Sequence, residues 1–423
     1  MLIEFSVENF KSLKERQTLS MEASPDDSLD YNLIEFKDNA DKNYRLLKSG
    51  ALFGANASGK SNVLKALTAF RTLINKSHTY QKGDKLPHEP YKFDEGYVNR
   101  PTKFDIVFIM DNIRYNYGLS YTKDKIIDEY LFYYPKGRRS QIFERKNTDK
   151  YTFHKDQKEQ EMISERTREN VLYLSSSTQF NYDKTAKAFD WFNEKLKDIG
   201  PKDDTGIREN TIERLNEDDK FKEKIQKALV VADFGISDIK GKIETLSPDK
   251  IKDLPWGIKD LALMGDGNLK TLDITTFHKL EHGEGSLSFF EESEGTQRFF
   301  SLIGPIITAL EDGDVLLIDE LDTKLHHLLN EYIVELFHDP DENQNNAQLI
   351  FTTHNTKLLD QDLFRRDQIW FTMRDPKAGS TELNSLIEYS PRKDKDIEKG
   401  YLVGRYGGIP FIQKENKVYR DRG

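Results

Sequence analysis

Two stretches of the chain carry residue types and spacings that can do phosphate chemistry. The first, Gly54-Ala55-Asn56-Ala57-Ser58-Gly59-Lys60-Ser61, has the pattern G-x-x-x-x-G-K-S. In that spacing backbone N–H groups wrap a chain of phosphates, Gly54 and Gly59 allow the tight backbone, Lys60 reaches the outer phosphates, and the Ser61 hydroxyl holds Mg²⁺. Asn56, Ser58 and Asn62 complete the set of residues expected to face the ligand. The second stretch, Asp314-Val315-Leu316-Leu317-Ile318-Asp319-Glu320, ends an apolar run in two carboxylates. Asp319 would take the metal side and Glu320, one residue further on, would polarise an attacking water. An acidic turn after a core strand accounts for either carboxylate alone, but not for the pair in a chain that also carries the phosphate loop.

Such residues need a strand before each of them and a helix after the loop. Ala51-Leu52-Phe53 and the run at 315–318 read as buried parallel strands, and Asn62-Val63-Leu64-Lys65-Ala66-Leu67 opens a helix ending near Ser77. A third core strand, 347–353, ends in His354-Asn355, at the strand edge where ligands of open α/β sheets sit. Taken by itself His354 reads as a structural hydrogen bonder; beside the other two stretches it reads as a phosphate neighbour. Ser293 and Gly295 stand where a helix through Ile303–Leu310 begins, and a helix start is an anion-binding place. A further helix is expected from 321 to about 337.

Around these elements the spacing predicts an opening strand at 2–10 with a partner at 17–22, an antiparallel meander over 104–134, and a hairpin joining 141–145 to 151–153. Lys136-Gly137-Arg138-Arg139 reads as a solvated hairpin tip. Helical spacing with dense mixed charge marks 185–196 and 210–229, separated by Gly200-Pro201-Lys202-Asp203-Asp204, and strands return at 236–246 and 271–280. The aromatics Phe180, Tyr182, Phe189, Trp191 and Phe192 are expected to pack this region onto its own base. The resulting division is an N-terminal lobe with an antiparallel β subdomain (1–159), a mainly helical insertion serving as lid or docking arm (160–270), a C-terminal lobe (271–375) and an extension (376–423).

Charged residues make up 32% of 423 residues and the net charge is −10, which weighs against a general nucleic-acid coat and leaves room for a local basic groove. There are no cysteines, so disulfides and thiolate metal sites are excluded and a cytoplasmic setting is expected. The start lacks the basic and apolar regions of a signal peptide, and no run of about 18 apolar residues is present, so no membrane span is expected.

Taken in order, residues 54–61, 292–297, 314–320, 321–326 and Thr353-His354 resemble the Walker A, signature, Walker B, D-loop and switch-histidine segments of ABC-type ATPase heads. The opening Ile3-Glu4-Phe5-Ser6-Val7-Glu8-Asn9-Phe10-Lys11-Ser12 is similar to the start of SMC, RecF and OLD-type heads. Asn56, Asp319-Glu320-Leu321-Asp322, Thr353-His354-Asn355 and Lys399-Gly400-Tyr401-Leu402-Val403-Gly404-Arg405-Tyr406-Gly407 together resemble the RloA-like and AriA-like ATPases of restriction and abortive-infection loci. The resemblance implies a P-loop NTPase of ABC-ATPase head type, with ATP and Mg²⁺ as cofactors. It further implies a homodimer or higher homo-oligomer in which Ser293 and Gly295 of one head close over the nucleotide held by Lys60 and Ser61 of another. Glu320 would be the base, His354 the γ-phosphate sensor and Asp322 a contact between heads. The signature-like segment departs from the common pattern, with Glu294 in place of glycine and Glu292 in place of leucine, and an acid beside a triphosphate is unfavourable unless shielded. No glutamine stands out as that of a Q-loop: Gln141 is conceivable, but its neighbours do not argue for it.

The resemblance, with no second catalytic constellation in the sequence, implies an ATPase that senses or regulates in an anti-phage defence system and controls a separately encoded effector, expected to be a nuclease. A RecF-like or SMC-like head clamping DNA, which keeps nucleic acid open as a ligand, and a scaffold that uses ATP for assembly with little turnover are the alternatives.

Overall fold

The computed structural model describes residues 1–200, 205–232, 234–245, 270–390 and 396–409. Of the expected breaker only Gly200 falls within them.

A six-stranded sheet forms the centre, in the order Leu196–Ile199, Val315–Ile318, Gln348–Thr352, Ser49–Gly54, Ile369–Arg374 and Thr381–Ser385. The first five run parallel and the last is antiparallel. The continuous apolar runs have a simple cause: both faces of the sheet are covered. Side chains alternate along each strand, so Val315 and Leu317 enter one core while Leu316 and Ile318 enter the other, as do Leu52 and Phe53. Five parallel strands put five C-terminal ends along one edge, and the segments leaving that edge carry the chemistry.

One core lies between the central sheet and a seven-stranded antiparallel sheet ordered Lys150–Thr152, Ser140–Lys146, Ile126–Tyr133, Ile113–Tyr121, Thr102–Met110, Leu2–Glu8 and Gln17–Ser20. The expected meander and hairpin are therefore a single sheet that also takes in the opening strand. The helix Lys60–Lys76 fills the layer between, burying Val63, Leu64, Leu67, Phe70 and Ile74. The Phe70 ring lies 4.9 Å from Phe104 and 5.6 Å from Tyr117. The other core holds the helices Thr205–Glu217, Asp219–Val231, Glu294–Asp312 and His327–His338, backed by a three-stranded sheet of Ile236–Thr245, Lys270–Leu280 and Gly283–Ser288. A hairpin of Leu33–Lys37 and Asn43–Leu47, which the alternation alone did not single out, precedes the loop strand.

The structure redraws three boundaries. Residues 173–199, placed by the sequence in the insertion, belong to the body: Tyr173–Gln179 and Asp183–Asp190 pack into the first core, a π-helical turn follows at Trp191–Lys195, and Leu196–Ile199 is an edge strand of the central sheet. The helical spacing expected through 196 stops because Leu196 pairs with Val315. Trp191 and Phe192 are fully buried against Phe108, at 4.4 and 5.5 Å, so they pack onto the N-terminal lobe rather than onto an arm. The boundary at 375/376 cuts a hairpin, since Thr381–Ser385 pairs with Ile369–Arg374. Finally, the helix expected from 321 begins at His327, because Glu320 (φ 53°) and Lys324 (φ 64°) hold 319–326 in left-handed turns. No helix among the described residues is long and apolar enough to cross a membrane.

Replacing Trp191 by Ala is expected to cost about 3–5 kcal/mol through the cavity it leaves. A urea-denaturation midpoint lowered accordingly is the expected result; a change under about 1 kcal/mol would show that 183–199 is a detachable arm.

Candidate functional site

The loop between Ser49–Gly54 and Lys60–Lys76 lines an open groove of about 520 Å³ together with Ser12, Phe93, Glu320, His354, Arg374 and Gly379. Asn56, Gly59, Lys60, Ser61 and Asn62 face this groove. Gly59 has φ 104°, and a Cβ there would collide with Thr381, so no other residue suits the position. The Lys60 ammonium donates to Gly54 O at 2.7 Å and Ala55 O at 3.2 Å, which sets it inside the curve of its own loop. Ser58 departs from expectation: its side chain is buried and meets Thr372 Oγ1 at 2.5 Å, so it props the loop from beneath. Asn62 donates to Ser12 Oγ at 2.7 Å, and Ser12 in turn meets Thr381 Oγ1 at 2.7 Å.

Asp319 and Ser61 are brought into contact, Ser61 Oγ donating to Asp319 Oδ1 at 2.8 Å. Thr352 Oγ1 donates to the same oxygen at 2.7 Å and accepts the Glu320 N–H at 2.7 Å, so one buried hydroxyl fixes both carboxylate residues. Holding Glu320 at positive φ costs about 1–3 kcal/mol of strain, and Thr323 Oγ1 donates to its carboxylate at 3.2 Å. The Ser61 hydroxyl and Asp319 carboxylate form an all-oxygen pair of the kind a hard divalent cation such as Mg²⁺ takes.

His354 leaves the neighbouring strand with its N–H donated to both oxygens of Asp322, at 3.1 and 3.2 Å, and its Nδ1 3.5 Å from Lys60 Nζ. Within the chain, Asp322 holds the histidine loop through these bonds. Burial and the adjacent Lys60 charge push the His354 pKa down, which keeps the ring neutral near pH 7. Burial pushes Lys60 down to about 8 against the opposing pull of Asp322, Asp319 and Glu320.

Ser293 and Gly295 do not line this groove. Ser293 caps the helix Glu294–Asp312, accepting the Thr296 N–H at 3.1 Å, and Gly295 lies in its first turn. Both acids of the segment have partners. Glu292 turns inward to Thr276 Oγ1 and to His278 Nε2 at 2.7 Å, and Glu294 pairs with Lys324 at 3.3 Å. Gln141 is remote from the groove and donates to Thr152 O across its hairpin, at 2.9 Å.

Sequence reasoning missed the residues that support the loop from the C-terminal side. Phe371 stacks between Tyr401 and Tyr406, at 5.3 and 5.4 Å, and Glu398 accepts from Thr356 Oγ1 at 2.9 Å just beyond His354. The aromatic and acidic positions of 396–409 were visible, but nothing local says what they pack against. Phe93, Arg374 and Thr381 likewise reach the loop only through tertiary structure.

Residues 51–360, most of the chain, match the family model described as "AAA domain, putative AbiEii toxin, Type IV TA system". A solved structure of an SMC head bound to the C-terminal winged-helix domain of ScpA is similar at 12% identity and a TM-score of 0.39, covering 91% of this chain and 97% of that one. No curated protein matches. The phosphate loop, the mixed central sheet, the antiparallel β subdomain and the helices set beside them make the fold that of a P-loop NTPase of ABC-ATPase head type.

The position of Lys60 sets a pH dependence. A lysine pushed down to about 8 must take up a proton to bind a polyanion above that pH, so affinity is present below it and lost as pH rises. Titration calorimetry with Mg²⁺ and inorganic tripolyphosphate, read as the ratio of wild-type to Lys60→Met affinity so that the ligand's own titration cancels, should give a constant ratio below about pH 7 and a fall approaching tenfold per unit above about 8. A ratio that stays flat would mean another group titrates.

Proposed function

The chain belongs to the family of AAA domains described as putative AbiEii toxins of type IV toxin–antitoxin systems, and on that premise we propose that it binds and hydrolyses ATP as the regulatory subunit of an anti-phage defence system. The observation that carries the ATPase reading is the convergence of Lys60, Ser61, Glu320 and His354 on one groove at the C-terminal edge of the sheet, with Asp319 bonded to Ser61 from behind. Lys60 and the loop N–H groups bind the outer phosphates, and Asn56 and Asn62 flank them. Ser61 and Asp319 would hold Mg²⁺, which when bound would supply positive charge against the phosphates. Glu320 orients and deprotonates the attacking water, its direction fixed by Thr323 and by the Glu320 N–H bond to Thr352. A neutral His354 donates to the γ-phosphate and reports its presence to Asp322 and the D-loop region.

Two heads then close on each other, Ser293 and Gly295 of one copy reaching the phosphates bound by the other. The partners found by Glu292 and Glu294 support this closure, because each acid is paired within its own chain and need not meet the phosphates unshielded. Assembly and release through the ATP cycle would control a separately encoded effector, a nuclease in this reading. The family's description as a putative toxin of a toxin–antitoxin system supports placing the chain in a locus where it acts with a second gene product.

Lys60→Ala is expected to weaken ATP binding by about ten- to a hundredfold. Glu320→Gln should keep binding while slowing turnover at least about a hundredfold, and should elute as a dimer when ATP and Mg²⁺ are present. Wild-type turnover in Glu320→Gln would sink the mechanism. For the regulatory role, the Glu320→Gln chain, tagged and expressed from its native locus, should co-purify with a nuclease encoded beside it, and phage challenge of the wild type should release that nuclease. Recovery of DNA and repair proteins instead would favour a DNA clamp.

A further inference from the structure

Phe93 lies on the wall of the groove, is 73% exposed, and has no part in the phosphate chemistry. Its exposure is not that of a loose loop. Tyr91, two residues earlier, is buried, donates its N–H to Asn9 Oδ1 at 2.9 Å and its hydroxyl to Ala378 O, and meets the Phe93 ring edge to face at 5.8 Å. Ala378 belongs to the turn between Ile369–Arg374 and Thr381–Ser385, which is itself tied by Asp375 Oδ1 accepting the N–H groups of Lys377 and Ala378 at 2.7 and 2.6 Å. Gly379 of that turn has φ 72°, and a Cβ there would stand 3.3 Å from Phe93 Cδ2 and 3.4 Å from an Arg374 nitrogen. The ring is thus backed by bare backbone and presents its remaining surface to the groove, with a cation beside it.

The sheet order says which end of a ligand reaches this place. Glu320 and His354 follow strands on one side of Ser49–Gly54, and Arg374 ends the strand on its other side. A phosphate chain crossing the loop with its outer end toward Glu320 and His354 therefore leads its inner end out over Arg374, Gly379 and Phe93. A flat aromatic face at that end fits a nucleobase, since every base has a π-face and stacking on an aromatic side chain is worth about 1–3 kcal/mol.

We propose that Phe93 is the platform on which the base of a bound nucleoside triphosphate stacks, with Arg374 the cation at the nucleoside end of the site. The inference rests on reading the groove as a nucleoside triphosphate site, and it adds the base-binding element that no sequence motif marks.

The test is calorimetry of wild-type, Phe93→Ala and Phe93→Trp protein with Mg²⁺ and either ATP or inorganic tripolyphosphate. Phe93→Ala should weaken ATP by about five- to a hundredfold while leaving tripolyphosphate within about twofold of wild type. Phe93→Trp should keep ATP affinity, and the emission of the new indole should be quenched by ATP but not by tripolyphosphate. An unchanged ATP affinity in Phe93→Ala, or an equal loss for both ligands, would overturn the platform. Wild-type protein that binds neither ligand would instead remove the phosphate-site reading, and the platform with it.

Discussion

The strand Ser49–Gly54 is hydrogen-bonded in parallel to Gln348–Thr352 on one side and Ile369–Arg374 on the other. Parallel pairing forces all three to end on one edge, and each hands over a different component there: the phosphate loop, the histidine segment and Arg374. Val315–Ile318 joins the same register through Gln348–Thr352 and delivers the two carboxylates. Thr352 then locks the arrangement, because its hydroxyl reaches Asp319 while accepting from the backbone of Glu320. With that register fixed, a loop, a carboxylate pair and a histidine far apart in sequence become one site.

Much of the remaining structure serves to hold the edge still. Beneath the loop run hydroxyl contacts from Ser12 through Thr381 to Ser58 O, and from Ser58 to Thr372. Phe371, Tyr401 and Tyr406 stack behind them. Buried networks of this kind are worth having only when every member is satisfied, since an orphaned hydroxyl in a dry interior costs as much as the bond it forgoes. The groove itself stays open, which suits a ligand that enters and leaves.

The sequence made the elements that are chemically explicit easy to read. Residues 54–61 announce their loop by glycine spacing, and 314–320 announce their strand by an unbroken apolar run, so the site's centre was legible. What failed had a common cause. Leu196 reads as the end of a charged helix and 197–199 as no element, because the only claim of Leu196–Ile199 to be a strand is its partner Val315–Ile318. The late start of His327–His338 depends on left-handed turns at Glu320 and Lys324, residue types that do not advertise positive φ. Ser58 stays out of the groove because Thr372, over three hundred residues on, offers it a hydrogen bond. In each case tertiary pairing overrode a local preference, and no window along the chain contains the partner.

The same pairing has a consequence for how the protein is made. The seven-stranded sheet draws all its strands from the first 152 residues, so it can form early on the ribosome. The strand that carries the phosphate loop cannot join the central sheet then, since both of its neighbours are encoded beyond residue 347. At ordinary translation speeds of roughly 5–20 residues per second, the loop waits on the order of 15–60 s for them. The nascent chain therefore carries an antiparallel sheet still lacking part of its core beside an apolar strand, Ala51-Leu52-Phe53, that has no sheet to enter. A product truncated before Arg374 would be unable to assemble the groove, so the assembled groove is itself a certificate that translation has passed that strand.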